Sequence, residues 1–119
     1  MKSILIIGLG RFGRHLCRKF MSLKNEVMIV DRDEAAVTAL ADEATSAQIA
    51  DCTDENALHA LGVKNFDLCF VCIGSDFASS LLITSMLKDM GAARVVAKAS
   101  QDIHAKLLLR NGADEVVYP

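Results

Sequence analysis

Ile4-Leu5-Ile6-Ile7-Gly8-Leu9-Gly10-Arg11-Phe12-Gly13 is an apolar run that flows directly into a G-x-G-x-x-G turn. A strand that ends in this pattern and continues as a helix forms a phosphate cradle. Gly8 allows the tight turn, Gly10 lets a pyrophosphate approach the backbone, and Gly13 lets the helix pack close to the strand. The helix N-terminus adds unpaired N–H groups and partial positive charge. One such turn is weak evidence by itself, so the flanking chain has to agree with it.

Downstream, apolar runs alternate with amphipathic segments along all 119 residues. Strands are predicted over residues 3–7, 26–30, 47–50, 68–73, 94–99 and 115–118. Helices are predicted over about residues 11–23, 33–44, 54–61, 77–90 and 103–111. This alternation predicts a Rossmann-like, doubly wound α/β fold with six parallel strands in the order 3-2-1-4-5-6. The predicted inner helix faces are Phe12, Leu16, Phe20 and Leu23; Val37 and Leu40; Leu58 and Leu61; Phe77, Leu81, Leu82, Met86 and Met90; and Ile103, Leu107 and Leu108. Gly62, Gly91 and Gly112 follow periodic segments, where left-handed helix ends are expected. Asp33, Thr53 or Asp54, Ser75 or Asp76, and Ser100 or Asp102 are the candidate N-caps.

Composition supports this architecture and narrows the function. The apolar fraction is 52%, rich in Ala, Ile, Leu and Val, which suits a parallel sheet covered on both faces. The net charge is −2 and no basic stripe marks a nucleic-acid surface. No apolar run reaches the ~18 residues of a membrane helix. The N-terminal run reads as a strand rather than a leader, so a cytoplasmic location is expected. Of the four cysteines, Cys69 and Cys72 have C-x-x-C spacing within one strand, where positions i and i+3 face opposite ways. The thiols therefore read as small buried hydrophobes rather than a redox or metal pair.

The chemistry concentrates after the strands. Asp31 ends the second strand, 18 residues after Gly13, where a carboxylate accepts from ribose hydroxyls; its alternative is to cap the second helix. An acid there repels a 2′-phosphate and favours NAD over NADP, with Arg32 beside the adenine edge. Arg11 lies inside the glycine turn, either meeting phosphate or facing solvent. Asp51 and Cys52 follow the third strand on the adenine side, and Asp54 reads as a cap. Gly74 allows close backbone approach after the fourth strand, and Ser75 either meets the ligand or caps a helix. Lys98, near the end of the fifth strand, meets phosphate or snorkels at the edge. His15, His59 and His104 lie on three predicted helices with no nucleophile or second ligand to pair with. There is no G-x-S-x-G, no H-E-x-x-H and no G-K-[ST] ending to the glycine turn.

Taken together, these stretches closely resemble the N-terminal nucleotide-binding domain of the RCK type found in cytosolic Trk/Ktr potassium-uptake subunits. The matching segments are Ile7 to Gly13, Ile29 to Asp33, Ala50 to Asp54, Val71 to Gly74, Val95 to Ala99 and the ending Gly112-Ala113-Asp114-Glu115-Val116-Val117-Tyr118-Pro119. That ending is the most distinctive, because ordinary dehydrogenases do not share it. One departure is Ala50-Asp51-Cys52, where the family usually shows Gly-Asp-Ala.

The resemblance implies a site for NAD(H) or ATP/ADP built on Gly8, Gly10, Phe12, Gly13 and Asp31, with Arg11 at phosphate. Arg32, Asp51, Cys52, Gly74, Ser75 and Lys98 would line the same cleft. It also implies homodimers assembling into a ring beneath a membrane potassium transporter or channel subunit, with nucleotide exchange gating flux and no direct membrane insertion. In the family a C-terminal ligand domain follows. The expectation here is a single nucleotide-binding domain over residues 1–119, either cut from a longer protein or standing alone. The competing class is the cofactor-binding piece of an NAD-dependent oxidoreductase. Hydride transfer needs a substrate pocket with an acid or base beside the nicotinamide, and the six predicted strands leave no chain for one. Ligand sensing without catalysis is therefore the expected function.

Overall fold

The computed structural model describes residues 1–119. Its elements are β1 (Ser3–Ile7), α1 (Arg11–Ser22), β2 (Glu26–Asp31), α2 (Glu34–Leu40), β3 (Ser46–Ile49), α3 (Glu55–Ala60), β4 (Leu68–Val71), α4 (Phe77–Asp89), β5 (Val95–Lys98), α5 (Asp102–Arg110) and β6 (Glu115–Val117). All six strands are parallel and run β3-β2-β1-β4-β5-β6 across the sheet, as the alternation predicted. The order reverses direction at β1, which opens a crevice above the carboxyl ends of β1 and β4.

Strand alternation sorts the core into two layers. Leu5 and Ile7 of β1 pack with Leu58 of α3, Ile83 and Leu87 of α4, and Ala105 and Leu108 of α5. Ile4 and Ile6 face the other way, onto Cys17 of α1 and Val37 and Leu40 of α2. Burying each Leu or Ile side chain contributes about 1.5–3 kcal/mol. Cys69 lies in the first layer and Cys72 in the second, so the C-x-x-C thiols are separated by the sheet, and all four cysteines are free.

The two edges of the sheet are finished differently. Where strands begin, side chains cap the starting N–H groups. Asn25 accepts from Lys2 at 3.0 Å and Asp67 from Ser3 at 2.8 Å. Thr45 accepts from Val27 at 2.9 Å and Asp114 from Val95 at 2.7 Å. Where strands end, glycines and exposed polar side chains are gathered instead. The fold thus keeps a sealed edge and an open one.

Several details correct the sequence reading. Residues 33–44 do not form one helix. Helix α2 stops at Leu40 and a tight 3-10 turn, Ala41–Glu43, follows. There Arg18 of α1 takes the Glu43 carboxylate through two contacts of 2.9 and 3.2 Å, and the Cys17 thiol lies against the Glu43 carbonyl. Leu23 caps the C-terminus of α1 and is 58% exposed, while Phe12, Leu16 and Phe20 pack on the core around the buried Gly13 and Cys17, as predicted. On α4, Leu82 is 45% exposed, and the fully buried stripe is Ser80, Ile83, Thr84 and Leu87. On α5, Ile103 is 56% exposed and Ala105 and Leu108 face inward. Small side chains suit a close approach here: a Cβ on Gly112 would meet Lys88 Cβ at 2.6 Å and the Thr84 carbonyl at 3.3 Å.

Capping follows the sequence signals except at α5. Asp33, Asp54 and Asp76 cap α2, α3 and α4 by accepting from Ala35, Asn56 and Ser79. The residue before α5 is Gln101, with no side-chain cap. Asp102 is helical and accepts instead from the Tyr118 hydroxyl at 2.9 Å. Gly62, Gly91 and Gly112 all have positive φ, as the helix-end reading required.

Candidate functional site

A cleft of about 360 Å3 lies over the switch point of the sheet. Its walls come from the loops after β1, β2, β3 and β4, and they include Gly8, Gly10, Asp31, Arg32, Asp51, Cys52, Gly74 and Ser75. Gly8 has φ +99, and a Cβ there would sit 2.9 Å from the Cys72 carbonyl carbon, so both torsion and space demand glycine. Gly10 faces open space. A Cβ on Gly13 would fall on the Gly8 carbonyl oxygen, so this glycine sets the close packing of α1 on the turn.

Helix α1 begins differently from α2, α3 and α4. Gly10 provides no side-chain cap, and the first turn of α1 holds no acid. Its leading N–H groups are therefore free to meet an anion. Phe12 and Gly13 lie behind the turn rather than in the cleft wall, and Arg11 is exposed as the first helical residue.

Asp31 does not cap α2, because Asp33 does. Its two carboxylate oxygens accept from Leu9 N–H at 2.8 Å and from Asp33 N–H at 2.9 Å. Asp51 accepts from the Thr53 hydroxyl at 2.6 Å and the Thr53 N–H at 3.0 Å. These bonds, the hydroxyl first, hold the Asp51 carboxyl below its usual range, with the Arg32 guanidinium helping. Across the crevice, Ser79 does the same for Asp76 through its hydroxyl and N–H, again with help from Arg32. Arg32 thus lies within electrostatic reach of carboxylates on both walls. Burial pushes the Cys52 thiol up to about 12, with Asp51 and Asp31 adding to it, and burial does the same for Cys72 against the opposing Lys98 ammonium. Both thiols stay neutral and act as small apolar wall.

Asp76, not Ser75, caps α4, which leaves the Ser75 hydroxyl in the cleft. Lys98 lies in a neighbouring depression of about 230 Å3 that shares Ile73, Gly74 and Ser75 with the main cleft. A Cβ on Gly74 would come within 3.0 Å of Lys98 Nζ, so the ammonium reaches the partition between them. His104 lines this depression and stacks on Phe77, with ring centroids 3.8 Å apart and planes at 10°. Thr53, Cys72, Asp76 and Ser79 belong to the main cleft and were not among the predicted site residues. Asp76 both caps α4 and lines the cleft, and its place two residues after Gly74 is the sequence signal for the second role.

Bacillus subtilis Ktr system potassium uptake protein C is 42% identical over 118 residues, 99% of this chain and 53% of that protein. The chain thus spans about half the length of the curated relatives it matches. Among solved structures, the NAD(P)-binding domain of an exopolyphosphatase-related protein from Archaeoglobus fulgidus is similar with TM-score 0.87 and 25% identity, covering 99% of this chain and 88% of that one. The GsuK channel bound to NAD is similar in fold, with TM-score 0.86 and 20% identity, covering 98% of this chain and 21% of that one. GsuK bound to ADP gives TM-score 0.85 at 20% identity, covering 98% and 31%. The TrkA-N domain model matches residues 4–119, across the glycine turn, the acid that ends β2 and the final strand, and the chain belongs to the TrkA-N domain family.

Proposed function

We propose that this domain binds an adenine nucleotide, NAD(H) or ATP/ADP, and serves as the sensing part of a regulatory subunit for a membrane potassium transporter or channel. The observation that carries this reading is one continuous cleft joining the uncapped start of α1 to the Asp31 carboxylate. Phosphates would meet the turn at Gly8 and Gly10 and the leading N–H groups of α1, with Arg11 reaching over from the exposed first helical position. The adenosine ribose would meet Asp31, with Arg32, Asp51 and Cys52 on the adenine side. The far end of a longer ligand would pass Gly74 and Ser75 toward Lys98. Kinship with the Ktr protein and the NAD- and ADP-bound forms of GsuK support the choice of ligands and system.

A nucleotide shifts a conformational equilibrium only if it binds the two states unequally. Ligands of different length would do so by engaging the walls on either side of the β1–β4 switch point to different extents. Assembly as homodimers within a ring is part of the proposal. It is supported by the apolar side chains that α4 and α5 leave exposed, Leu82, Ile103 and Leu109. The working location is the cytoplasmic face of the membrane, reached through the partner; no helix of the chain is long and apolar enough to cross a membrane.

Calorimetric titration with NAD, NADH, ATP and ADP in parallel tests the reading. At 100 times its Kd a bound nucleotide adds about 2.7 kcal/mol of stability, so the melting temperature should also rise by roughly 10 °C. Absence of heat and of any melting shift with all four overturns the proposal. Turnover of NADH with a small carbonyl substrate would replace sensing with catalysis.

A further inference from the structure

We infer that Asp31 is a positioning residue for the phosphate end of the site as well as the acceptor for ribose. This rests on the nucleotide-binding reading above. The β1–β2 ladder reaches its last rung where Gly8 N–H donates to the Val30 carbonyl at 2.9 Å. Beyond it the positive φ of Gly8 turns the chain out of the strand, and Leu9 N–H makes no backbone hydrogen bond. The Asp31 carboxylate takes that N–H at 2.8 Å. A side chain therefore supplies one further rung after the backbone ladder has ended. The Leu9 side chain is buried in the α1–α2 layer, so both its ends are held. Through its other oxygen the same carboxylate holds Asp33 N–H at 2.9 Å, tying the turn to the start of α2.

These bonds run between protein groups alone. They hold the turn between Gly8 and Gly10 in place, and with it the direction of the free N–H groups at the start of α1. A preorganised turn loses less freedom when phosphate arrives. Each carboxylate oxygen keeps a second acceptor position, so ribose hydroxyls can be received without releasing the latch. Ribose occupancy and the shape of the phosphate turn then pass through one side chain.

The two roles separate with a ligand that lacks ribose hydroxyls. Binding of ADP and of 2′,3′-dideoxy-ADP is measured by calorimetry to the wild type, Asp31→Ala and Asp31→Asn, after thermal unfolding confirms each fold. A role confined to ribose leaves dideoxy-ADP affinity unchanged in the variants, or improves it, because a carboxylate near phosphate has been removed. The latch requires both variants to bind dideoxy-ADP about tenfold more weakly or worse, the loss of a charge-assisted hydrogen bond. Asparagine is informative because its amide offers only one acceptor oxygen where two N–H groups need one each. Amide hydrogen exchange on the ligand-free wild type tests the latch without a variant: Leu9 should be protected to the same order as Gly8. Unchanged dideoxy-ADP affinity, or free exchange at Leu9 beside a protected Gly8, overturns the inference while leaving nucleotide binding intact. Failure of the wild type to bind ADP in any form strikes the nucleotide reading instead.

Discussion

Gly10→Ala and Gly13→Ala place the same methyl group three residues apart and should fail for opposite reasons. Gly10 has φ −71 and open space around its missing Cβ. The folded chain accepts alanine there at a stability change under about 1 kcal/mol, the usual difference between these residues at an N-cap. The methyl then projects where phosphate must approach the helix N–H groups. Keeping a carbon at van der Waals distance moves the phosphate back by on the order of an ångström, enough to lose a charge-assisted bond of about 1.5–3 kcal/mol. Nucleotide affinity should fall by roughly 10- to 100-fold. At Gly13 the methyl falls on the Gly8 carbonyl oxygen, with the Gly8 carbonyl carbon at 3.1 Å and Cys72 Cβ at 3.6 Å. That oxygen is backbone and cannot rotate away, so α1 must withdraw. Overpacking costs about 1–3 kcal/mol, and a clash with fixed backbone falls at the upper end, about 2–3 kcal/mol, of which about 1 kcal/mol is offset by the helix preference for alanine. For a chain of 119 residues, 1 kcal/mol corresponds to about 4 °C. Scanning calorimetry should place Gly13→Ala roughly 4–8 °C below the wild type and Gly10→Ala within a few degrees of it. Wild-type affinity in Gly10→Ala, or wild-type stability in Gly13→Ala, would refute the division of labour within the turn.

Thr84 carries a buried hydroxyl with no hydrogen-bond partner. Thr84→Val should raise stability by about 1 kcal/mol, read as a later urea midpoint; a fall would show that the hydroxyl is satisfied after all. Asp114→Ala removes the acceptor for Val95 N–H at the sealed edge of the sheet. It should cost about 1.5 kcal/mol in urea unfolding while leaving nucleotide affinity unchanged, and a change in affinity would contradict the separation of the two edges. Cys52, Cys69 and Cys72 are held at about 12 against an ordinary 9.0. Between those values the unfolded chain releases protons that the native state keeps, so stability falls as pH rises, by up to about 1.4 kcal/mol per pH unit for each thiol. Urea midpoints measured above pH 9 should show this slope, and Cys69→Ala should flatten it; an unaltered slope in the variant would mean that Cys69 is not held protonated.

Much of this molecule is written locally. The turn from Ile7 to Gly13 specifies strand, cradle and helix because glycine's torsional freedom and the apolar period are properties of neighbouring residues. Asp33, Asp54 and Asp76 announce helix starts for the same reason, and the alternation of strands and helices leaves a doubly wound parallel sheet as the economical solution. Other features depend on residues far apart in the chain. Helix α4 is apolar around much of its circumference, so its sequence does not say that Ser80 and Thr84 face inward and Leu82 outward; its packing against β4, β5 and α5 decides it. Helix α2 gives way to a 3-10 turn whose Glu43 meets Arg18 and Cys17 of α1, contacts across some 25 residues that local pattern does not announce. Lys98 and His104 form a second depression only because β5 and α5 lie beside the loop after β4. Asp31 is legible as an acid at the right distance from Gly13, but its grip on Leu9 spans 22 residues and exists only because β1 and β2 are paired. Periodicity and turn chemistry act between near neighbours, so the sequence by itself determined the elements, their order and the place of the cradle. Which side chains meet across the crevice follows from strand pairing and helix packing, and only the tertiary structure decided that.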